Sequence, residues 1–499
     1  MSDRPIDPTD QTDPADPLDP TTAHLDPQVF VTYLEKTRWF GGKGRPFAVS
    51  DVRRLGTLGD TGPYPRVVLL LVELTYDDAP AGTPAATELY QVPLALYRDA
   101  EHRLDRAFIG WWEEPDLGWV HAYDALHDRQ AMALWLEAFG AATDGAPRVV
   151  GDLEFHRVPG HELDLTGTSA LFTGEQSNSS VAFGEDSMMK VFRKINPGAN
   201  PDVVTHEALT RAGSEHVAAL YGWIERPDPE GGEPLHLAML QQFLRTATDG
   251  WDLALGSVRN LLADDDLAAR ESGGDFAGEA SRLGEALREV HAGLREARPV
   301  DPADAPEPAA IAEAMTQRLE AALAVAPELE PHAGSLRAAY DRLGALPAVE
   351  VQQVHGDLHL GQTLRTALGW KIVDFEGEPA KTLAERLLPD SPWRDVAGML
   401  RSFDYAPHVV ERTHGDPDQA GDEAADRRRR GAEWADRNQR YFLGAYVGIT
   451  DGSPLTEDQQ TLVDAYVADK AVYEVVYETR NRPTWVEIPL SAIATIGAR

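Results

Sequence analysis

Residues 351–376 read VQQVHGDLHLGQTLRTALGWKIVDFE, and this stretch decides the predicted fold. A β-rich run, VEVQQV at residues 349–354, leads into His355-Gly356-Asp357, and a second apolar run, residues 370–373, ends at Asp374. Short apolar runs bounded by turn residues are typical of strands. Two short strands are therefore predicted to deliver Asp357 and Asp374 to neighbouring loops.

The polar residues of these loops suit phosphoryl transfer. In that chemistry one carboxylate orients the attacking hydroxyl and accepts its proton, while other groups hold the metal ion that bridges the nucleotide phosphates. We assign Asp357 as the base or orienting carboxylate. Gln362 follows at the distance where protein kinases place a metal-binding amide, so Gln362 and Asp374 are predicted Mg²⁺ ligands. Glu376 adds a second carboxylate to the same predicted metal site.

A site of this kind also needs a cation for the phosphates, and Lys190 in the strand-like run SMMKVFRK is the candidate. Arg193 and Lys194 follow closely and are alternatives. Such a lysine is usually held by an acid on the following helix. Glu207, on a helix predicted to open at Pro201, is available for this pairing, although an exposed helix glutamate is the plainer interpretation.

Residues 174–180, GEQSNSS, lie between two predicted strands that precede Lys190. Ser177, Asn178 and Ser179 are predicted to cradle phosphate oxygens with their side chains and backbone N–H groups. The segment has one glycine and no GxGxxG pattern, so a plain hairpin turn would look similar. The prediction of a phosphate-covering loop therefore depends on the catalytic stretch downstream.

The chain as a whole is predicted to adopt an α+β, bilobal kinase-like fold. Residues 1–26 repeat Asp-Pro and are expected to form a disordered acidic tail. An N-terminal α+β cap is predicted for residues 27–140 and a β-rich N-lobe that holds the nucleotide phosphates for residues 141–246. A mostly helical C-lobe with the catalytic loop, metal site and sugar site is predicted for residues 247–499.

Hydrophobic periodicity predicts the individual elements. FVTYLEKTRWF predicts a short amphipathic helix, and RVVLLLVELTY and ELYQVPLALYR predict paired strands. Further strands are predicted for VVGDLEFHRV, SVAFGED, SMMKVFRK and HLAMLQQFL. Asn200 is predicted to cap the helix that opens at Pro201. Later helices are predicted at residues 307–325, 334–343, 392–405, 432–447 and 456–480.

The composition excludes several functional classes. The 499-residue chain has a formal net charge of −36, which disfavours binding to nucleic acid or to an anionic membrane. No apolar run is long enough to span a bilayer, and the N-terminus lacks the basic and apolar regions of a secretory signal. The absence of cysteine removes disulfides and thiolate metal sites and suits a reducing cytoplasm, where we expect the protein.

Segments along most of the chain resemble the actinobacterial maltokinases, within the aminoglycoside-phosphotransferase-like kinases that share a eukaryotic-protein-kinase-like fold. The similar segments are RWFGGKGR, EQSNSS, NPD, GGDFAGEASRLGEA, VHGDLHLGQTLRT, DSPWRDVAGMLRSFDYA and DKAVYEVVYETRNRP. The resemblance implies transfer of the γ-phosphoryl group from ATP with Mg²⁺ to maltose, giving maltose 1-phosphate and ADP for α-glucan (glycogen) synthesis. It also suggests association with a trehalose synthase or another glucan-pathway enzyme. The oligomeric state, monomer or homodimer, is left open.

The resemblance implies a sugar site in the helical lobe. Lys470, Glu474, Tyr477 and Glu478 share one stripe of a predicted helix, although a helix salt-bridge network would produce the same pattern. The residues assigned to the substrate are His355, His359, Arg394, Lys470, Glu474, Tyr477, Glu478 and Arg482.

Two neighbouring positions are open at this stage. Asp395 either lines the same pocket or braces the catalytic loop, and bracing is the favoured interpretation. This chain has Val204 where many relatives carry an acid after NPD. The pairing of Lys190 is therefore either rebuilt from Glu207 or absent.

Three alternatives remain beside this prediction. Another hexose, glucosamine among them, would use the same machinery as maltose. A metal-dependent hydrolase would use His355, Asp357, His359 and Asp374 as ligands for Zn²⁺ or Mn²⁺. A kinase-like binding module without activity is disfavoured because Asp357, Gln362 and Asp374 are all present.

Overall fold

The computed structural model describes residues 26–59, 64–79, 86–172, 177–263, 275–301, 305–378, 381–414, 422–449 and 451–496, with residues 268, 270 and 303. The predicted disordered tail and residues 174–176 of the predicted phosphate loop lie outside these residues. The chain forms two compact units. The first comprises residues 1–197 with 221–241, and the second comprises residues 198–220 with 242–499.

The first unit contains two sheets. The strands of its first sheet are β1 (Phe47–Leu58), β2 (Arg66–Tyr76), β3 (Thr87–Tyr97), β4 (Phe108–Glu114), β5 (Gly118–Asp124) and β11 (Lys194–Ile195). In the described residues their order is β1-β2-β3-β5-β4, with β11 also paired to β3. Helix α1 (Pro27–Lys36) buries Phe30 and Leu34 in the core of this sheet. The predicted helix and the predicted strand pair, β2 with β3, are both confirmed.

The strands of the second sheet are β6 (Arg148–Val150), β7 (Leu153–Arg157), β8 (Ser169–Leu171), β9 (Asn178–Phe183), β10 (Ser187–Phe192), β12 (Leu220–Arg226) and β13 (Leu235–Gln242). Their order in the described chain is β6-β7-β12-β13-β10-β9-β8. The run VVGDLEFHRV, predicted as one strand, is a hairpin of β6 and β7. Gly151 turns the chain with φ +63°, and a Cβ there would lie 2.6 Å from the carbonyl oxygen of Leu55.

The two sheets of this unit are tied together by a buried amide. The side chain of Gln91 on β3 donates to the carbonyl oxygens of Phe192 at 3.1 Å and Leu237 at 3.0 Å. Helix α2 (Arg129–Gly140) contributes Phe139, whose ring lies 5.3 Å from that of Phe155. The end of β10 and the following β11 are therefore held against the first sheet in two ways. The backbone of β11 pairs with β3, and the side chain of Gln91 binds the carbonyl oxygen of Phe192.

The second unit is mostly helical, with helices α3 (Pro201–Arg211), α4 (Gly250–Leu262), α5 (Ala277–Ala297), α6 (Pro308–Leu323), α7 (Ala333–Gly344), α8 (Leu383–Arg386), α9 (Trp393–His414), α10 (Asp422–Val447), α11 (Glu457–Asn481) and α12 (Glu487–Thr495). Asn200 caps α3 as predicted, its side chain accepting the N–H of Asp202 at 2.8 Å. Helix α10 begins ten residues before its predicted start, because Arg429 pairs along the helix with Asp426 and Glu433.

A small sheet of β14 (Thr248–Asp249), β15 (Thr363–Thr366) and β16 (Gly369–Ile372) carries the predicted catalytic stretch. β15 begins directly after Gln362, and β16 ends two residues before Asp374. The prediction of a strand at residues 349–354 is wrong. Its place is taken by a single antiparallel bridge between Gln352 and Asp390, because only that residue meets a neighbouring backbone. In the described part of the chain, no helix has the length and apolar character needed to cross a membrane.

Candidate active site

The loop that carries Asp357 is braced by the buried carboxylate of Asp395, near the start of α9. Asp395 accepts the backbone N–H groups of His355 at 2.7 Å and Gly356 at 2.8 Å, and its Oδ2 lies 3.1 Å from Nε2 of His291. Burial alone would raise the pKa of Asp395, but the hydrogen bond and charge of His291 lower it. The predicted bracing role of Asp395 is confirmed.

His355 links the two loops of the site. Its ring is buried, its Nδ1 accepts the N–H of Asp357 at 3.3 Å, and its Nε2 lies 3.0 Å from the carbonyl oxygen of Val373. Both ring nitrogens are therefore used by the backbone. These contacts connect the loop of Asp357 to the end of β16, and a substrate contact of His355 stays a prediction.

The predicted metal ligands come together. The side-chain nitrogen of Gln362 lies 3.1 Å from Oδ2 of Asp374, and Asp202, Asp374 and Glu376 each place a ligand atom within 4.8 Å of the others. The backbone of Asp374 is left-handed, with a φ of +67°, and Asp374 is the one non-glycine residue with a positive φ in the described part of the chain. Oxygen ligands of this type are those that Mg²⁺ prefers, so the residues fit the implied ion.

Asp202 is the member of this cluster that sequence reasoning missed. It lies in the first turn of α3, is buried, and accepts the backbone N–H of Phe375 at 2.9 Å. Nδ1 of His206, one turn later, lies 3.0 Å from the same carboxylate. The signal available in the sequence was its place in the NPD motif, which we interpreted as the start of a helix.

A cavity of about 620 Å³ opens beside Asp357 in the second unit. It brings most of the predicted sugar-binding residues together with the predicted base. The residues that line it are Trp251, Asp357, His359, Gly361, Gly398, Ser402, Tyr405, Val409, Lys470, Tyr473, Glu474, Tyr477, Glu478, Arg482 and Trp485. Trp251, Tyr405 and Trp485 are the large aromatic members that the sequence analysis did not assign.

Each carboxylate of this cavity has a cationic partner. Asp357 lies 3.1 Å from Nζ of Lys470, and Glu478 lies 2.7 Å from Arg482. Glu474 lies 2.8 Å from Arg401, a buried residue of α9 that the sequence analysis also missed. Burial raises the pKa of Glu474, although Arg401 opposes the shift. The cavity is therefore close to neutral in charge.

Aromatic rings provide the apolar walls. The rings of Tyr473 and Tyr477 on α11 stack with centroids 6.4 Å apart, and both side chains are partly exposed. The guanidinium of Arg482 lies 4.6 Å from the ring centroid of Trp485. Partly exposed aromatic faces of this kind offer both apolar contact and hydrogen bonding to a polar ring.

His359 and Arg394 occupy different positions beside Asp357. His359 lines the large cavity, accepts the N–H of Gly361 at 3.1 Å, and has its pKa lowered by burial. Arg394 lines a second cavity of about 120 Å³ and is paired with Glu378 at 2.7 Å. Substrate contacts of both residues stay predictions.

In the first unit, Lys190 lies on β10 opposite Ser180 of β9. The two alternative cations are engaged elsewhere. Arg193 is buried and pairs with Asp124 at 2.8 Å, and Lys194 pairs with Glu88 at 2.6 Å. The phosphate contact predicted for Lys190 stays a prediction.

The predicted phosphate turn is described from Ser177 onward, and its prediction as a loop is wrong for residues 178–180, because they pair with β10 as the start of β9. Ser177 is exposed and Asn178 is half-buried, whereas Ser179 is buried and its hydroxyl accepts from Nε of Arg193 at 2.8 Å. Glu207, in the second unit, pairs with Arg211 of its own helix at 2.9 Å. Its pairing with Lys190 stays a prediction, as do the phosphate contacts of the turn.

The geometry can now be set beside known proteins. Residues 33–128 match the maltokinase N-terminal cap domain. The glucosamine kinase of Streptacidiphilus jiangxiensis is 31% identical over 337 residues, which cover 65% of this chain and 72% of that relative. The chain belongs to the actinobacterial maltokinase-like family. A second family relative, the glucosamine kinase of Mycolicibacterium smegmatis, is 26% identical over 341 residues, covering 65% of this chain and 78% of the relative.

A solved structure of the family fold matches nearly the whole chain. Glucosamine kinase in complex with glucosamine, ADP and inorganic phosphate superposes with a TM-score of 0.65 at 23% identity, covering 93% of this chain and 98% of that structure. The predicted fold class is confirmed, with a β-rich part, a mostly helical part and an N-terminal α+β cap. As a member of the maltokinase-like family, the protein is a kinase.

Proposed function

We propose that the protein transfers the γ-phosphoryl group of ATP to maltose, giving maltose 1-phosphate and ADP. In this reaction the anomeric hydroxyl oxygen of the sugar bonds to the γ-phosphorus, the bond from that phosphorus to the β–γ bridging oxygen breaks, and Asp357 accepts the hydroxyl proton. The base stands at the edge of the large cavity, where the acceptor hydroxyl would lie.

The charge balance of that cavity is the observation that carries the choice of a neutral acceptor. Asp357, Glu474 and Glu478 are each already paired with a lysine or an arginine. An ammonium group would need an uncompensated carboxylate to offset its loss of hydration. The stacked rings of Tyr473 and Tyr477 instead extend the apolar wall, which suits a sugar of more than one ring.

Glucosamine is the second candidate acceptor. The two relatives reported above are glucosamine kinases, and the solved glucosamine kinase structure that resembles this chain contains glucosamine. A different acceptor sugar within this family would require no change in the predicted base and metal ligands. The names of the relatives therefore support the reaction class more strongly than they support a particular acceptor.

The test is ADP release from ATP and Mg²⁺ with maltose, glucose, glucosamine or water alone, compared as kcat/KM. We expect maltose to give the largest value. Larger kcat/KM for glucosamine would discard maltose and keep the kinase. Absence of release with every sugar would move the assignment to the binding-module or metal-dependent hydrolase alternatives.

We also propose that Gln362, Asp374 and Glu376 hold Mg²⁺, together with Asp202. Asp374→Asn should weaken Mg²⁺-dependent ADP binding by at least about tenfold, because it removes a charged ligand. Calorimetry with Mg²⁺ and with EDTA measures this. Asp436→Asn, at an exposed ion pair on α10, is the matched control. Equal Mg²⁺ dependence in the Asp374 variant and the wild type would contradict the ligand role.

A further inference from the structure

One face of the second sheet carries a group of metal-binding side chains outside the active site. Strands β7 and β12 pair so that Glu225 stands opposite Glu154 and Trp223 stands opposite His156. Alternate residues of a strand share a face, so these four side chains lie on the same side of the sheet. His236 of the adjacent strand β13 joins them, with Nε2 3.1 Å from Glu225.

Three ligand atoms of this group converge on one point. Nε2 of His156 lies 3.3 Å from Oε2 of Glu154 and 3.3 Å from Oε1 of Glu225. This nitrogen is buried, and neither contact has the geometry of a well-formed hydrogen bond. Like charges directly opposite each other in an antiparallel pair are destabilising, so the two glutamates call for a positive charge between them.

The spacing suits a metal ion. Zinc binds imidazole nitrogen and carboxylate oxygen at about 2.0–2.2 Å in tetrahedral geometry, which places neighbouring ligand atoms roughly 3.3 Å apart. The distances from His156 to Glu154 and to Glu225 have this value. Mixed imidazole and carboxylate ligands favour zinc and similar transition-metal ions over Mg²⁺.

The surroundings hold one ligand in orientation. The second oxygen of Glu225 accepts from Nε1 of Trp223 at 3.0 Å and lies 3.1 Å from Nε2 of His236. The ring of Trp223 in turn stacks on His156, with centroids 4.5 Å apart and planes 5° from parallel. Hydrogen bonds to ligating carboxylates are the usual support of protein metal sites.

We propose that Glu154, His156 and Glu225 bind one divalent transition-metal ion of the zinc type. The partly exposed side of Glu154 leaves the fourth position to water. The ion replaces the repulsion between Glu154 and Glu225 by the attraction of both carboxylates to one shared cation, and it so stabilises the first unit. This site is separate from the oxygen-only cluster of Asp202, Asp374 and Glu376, which belongs to the second unit.

The competing explanation is a protonated His156 that bridges the two glutamates without a metal. Equilibrium dialysis of the tag-free, chelator-treated full chain against micromolar Zn²⁺, with millimolar Mg²⁺ to fill the other cluster, separates the two. The wild type should retain about one zinc ion per chain more than Glu154→Gln. Glu289→Gln, at an exposed histidine–glutamate pair with His216, should retain as much as the wild type. Equal retention by the wild type and Glu154→Gln would overturn the proposal.

A second measurement does not depend on the folding of a variant. Crystals of the wild type soaked in Zn²⁺ should show an anomalous zinc peak within bonding distance of His156 Nε2, whereas no peak there would overturn the site. Zn²⁺ should also raise the Tm of the wild type, because an ion that binds only the folded chain stabilises it. An unchanged Tm at saturating Zn²⁺ would contradict the stabilising role.

Discussion

Two buried pairs of ionisable side chains hold two segments of the chain, the loop of Asp357 and the segment that contains Ser179, and they do so differently. In the second unit, the anion Asp395, supported by His291, accepts backbone N–H groups of the catalytic loop. In the first unit, the cation Arg193, supported by Asp124, donates to the side-chain hydroxyl of Ser179. The first arrangement fixes a backbone, and the second fixes one side chain of the predicted phosphate turn.

The difference shows how each element depends on the rest of the chain. A loop held by its peptide groups keeps its path whatever side chain stands at the reacting position. The side chain of Ser179, in strand β9, depends instead on Asp124, at the end of β5, and on Tyr33 of α1, whose hydroxyl donates to Asp124 at 2.5 Å. The position of the Ser179 side chain is therefore coupled to residues within the matched cap domain.

The largest expected effect is a loss of turnover without a loss of stability, which would separate the role of Asp357 in the reaction from the support of its loop by Asp395. Asp357→Asn should lower turnover by roughly 10²–10⁴-fold, because asparagine cannot accept the hydroxyl proton. Its free energy of unfolding should stay close to that of the wild type, since Asp357 is partly exposed and its loop is held by Asp395. Steady-state ADP release and chemical denaturation measure the two quantities. Unchanged turnover would remove Asp357 as the base.

Breaking the buried pair of Arg193 and Asp124 in the first unit should lower the free energy of unfolding. Arg193→Met should lower the free energy of unfolding by about 3–5 kcal/mol, because Asp124 is left as a buried, uncompensated charge. Lys194→Met is the matched control, since its ion pair with Glu88 is partly exposed and should cost less than about 1 kcal/mol. Urea titration of both variants measures the difference. Equal stability losses would show that burial of the pair has no special weight.

Removing the support that Asp395 gives to the loop of Asp357 should lower the free energy of unfolding by a smaller amount. Asp395→Asn should cost about 2–3 kcal/mol of unfolding free energy, because one amide oxygen replaces two carboxylate acceptors. The cost should also depend on pH.

The direction in which this stabilisation changes with pH follows from the lowered pKa of Asp395. Its stabilisation is present above the pKa of the unfolded chain, about 3.9, and is lost as pH falls through the lower folded value. Urea titrations at pH 7 and at progressively lower pH should therefore show wild type and variant converging in acid. A constant gap would contradict a charged Asp395.

The catalytic stretch could be predicted because its chemistry is contiguous. Asp357, Gln362, Asp374 and Glu376 lie on two loops joined by one short hairpin, so spacing in the chain reflects spacing in the fold. The stripe of Lys470, Glu474, Tyr477 and Glu478 was predictable for the same reason, since helical periodicity puts these residues on one face.

Residues brought in from distant segments could not be predicted in this way. Asp202 reaches the loop of Asp374 only through the packing of α3, and Arg401 reaches Glu474 only through the packing of α9 on α11. The zinc-type cluster is spread over two strands that are distant in sequence, and its ligands converge only once the register of β7 with β12 is known. Hydrophobic patterns establish which faces are buried but not which polar side chains meet across them.

The left-handed backbone of Asp374 has a consequence for engineering. A side chain in that conformation costs roughly 1–2 kcal/mol, which glycine would largely relieve. A screen that selects for thermostability alone would therefore tend to reward replacement of this aspartate by glycine, at the expense of a carboxylate in the predicted magnesium cluster. Directed evolution of this enzyme should pair every thermal selection with a measure of turnover, because the strained position is one where robustness and activity favour different residues.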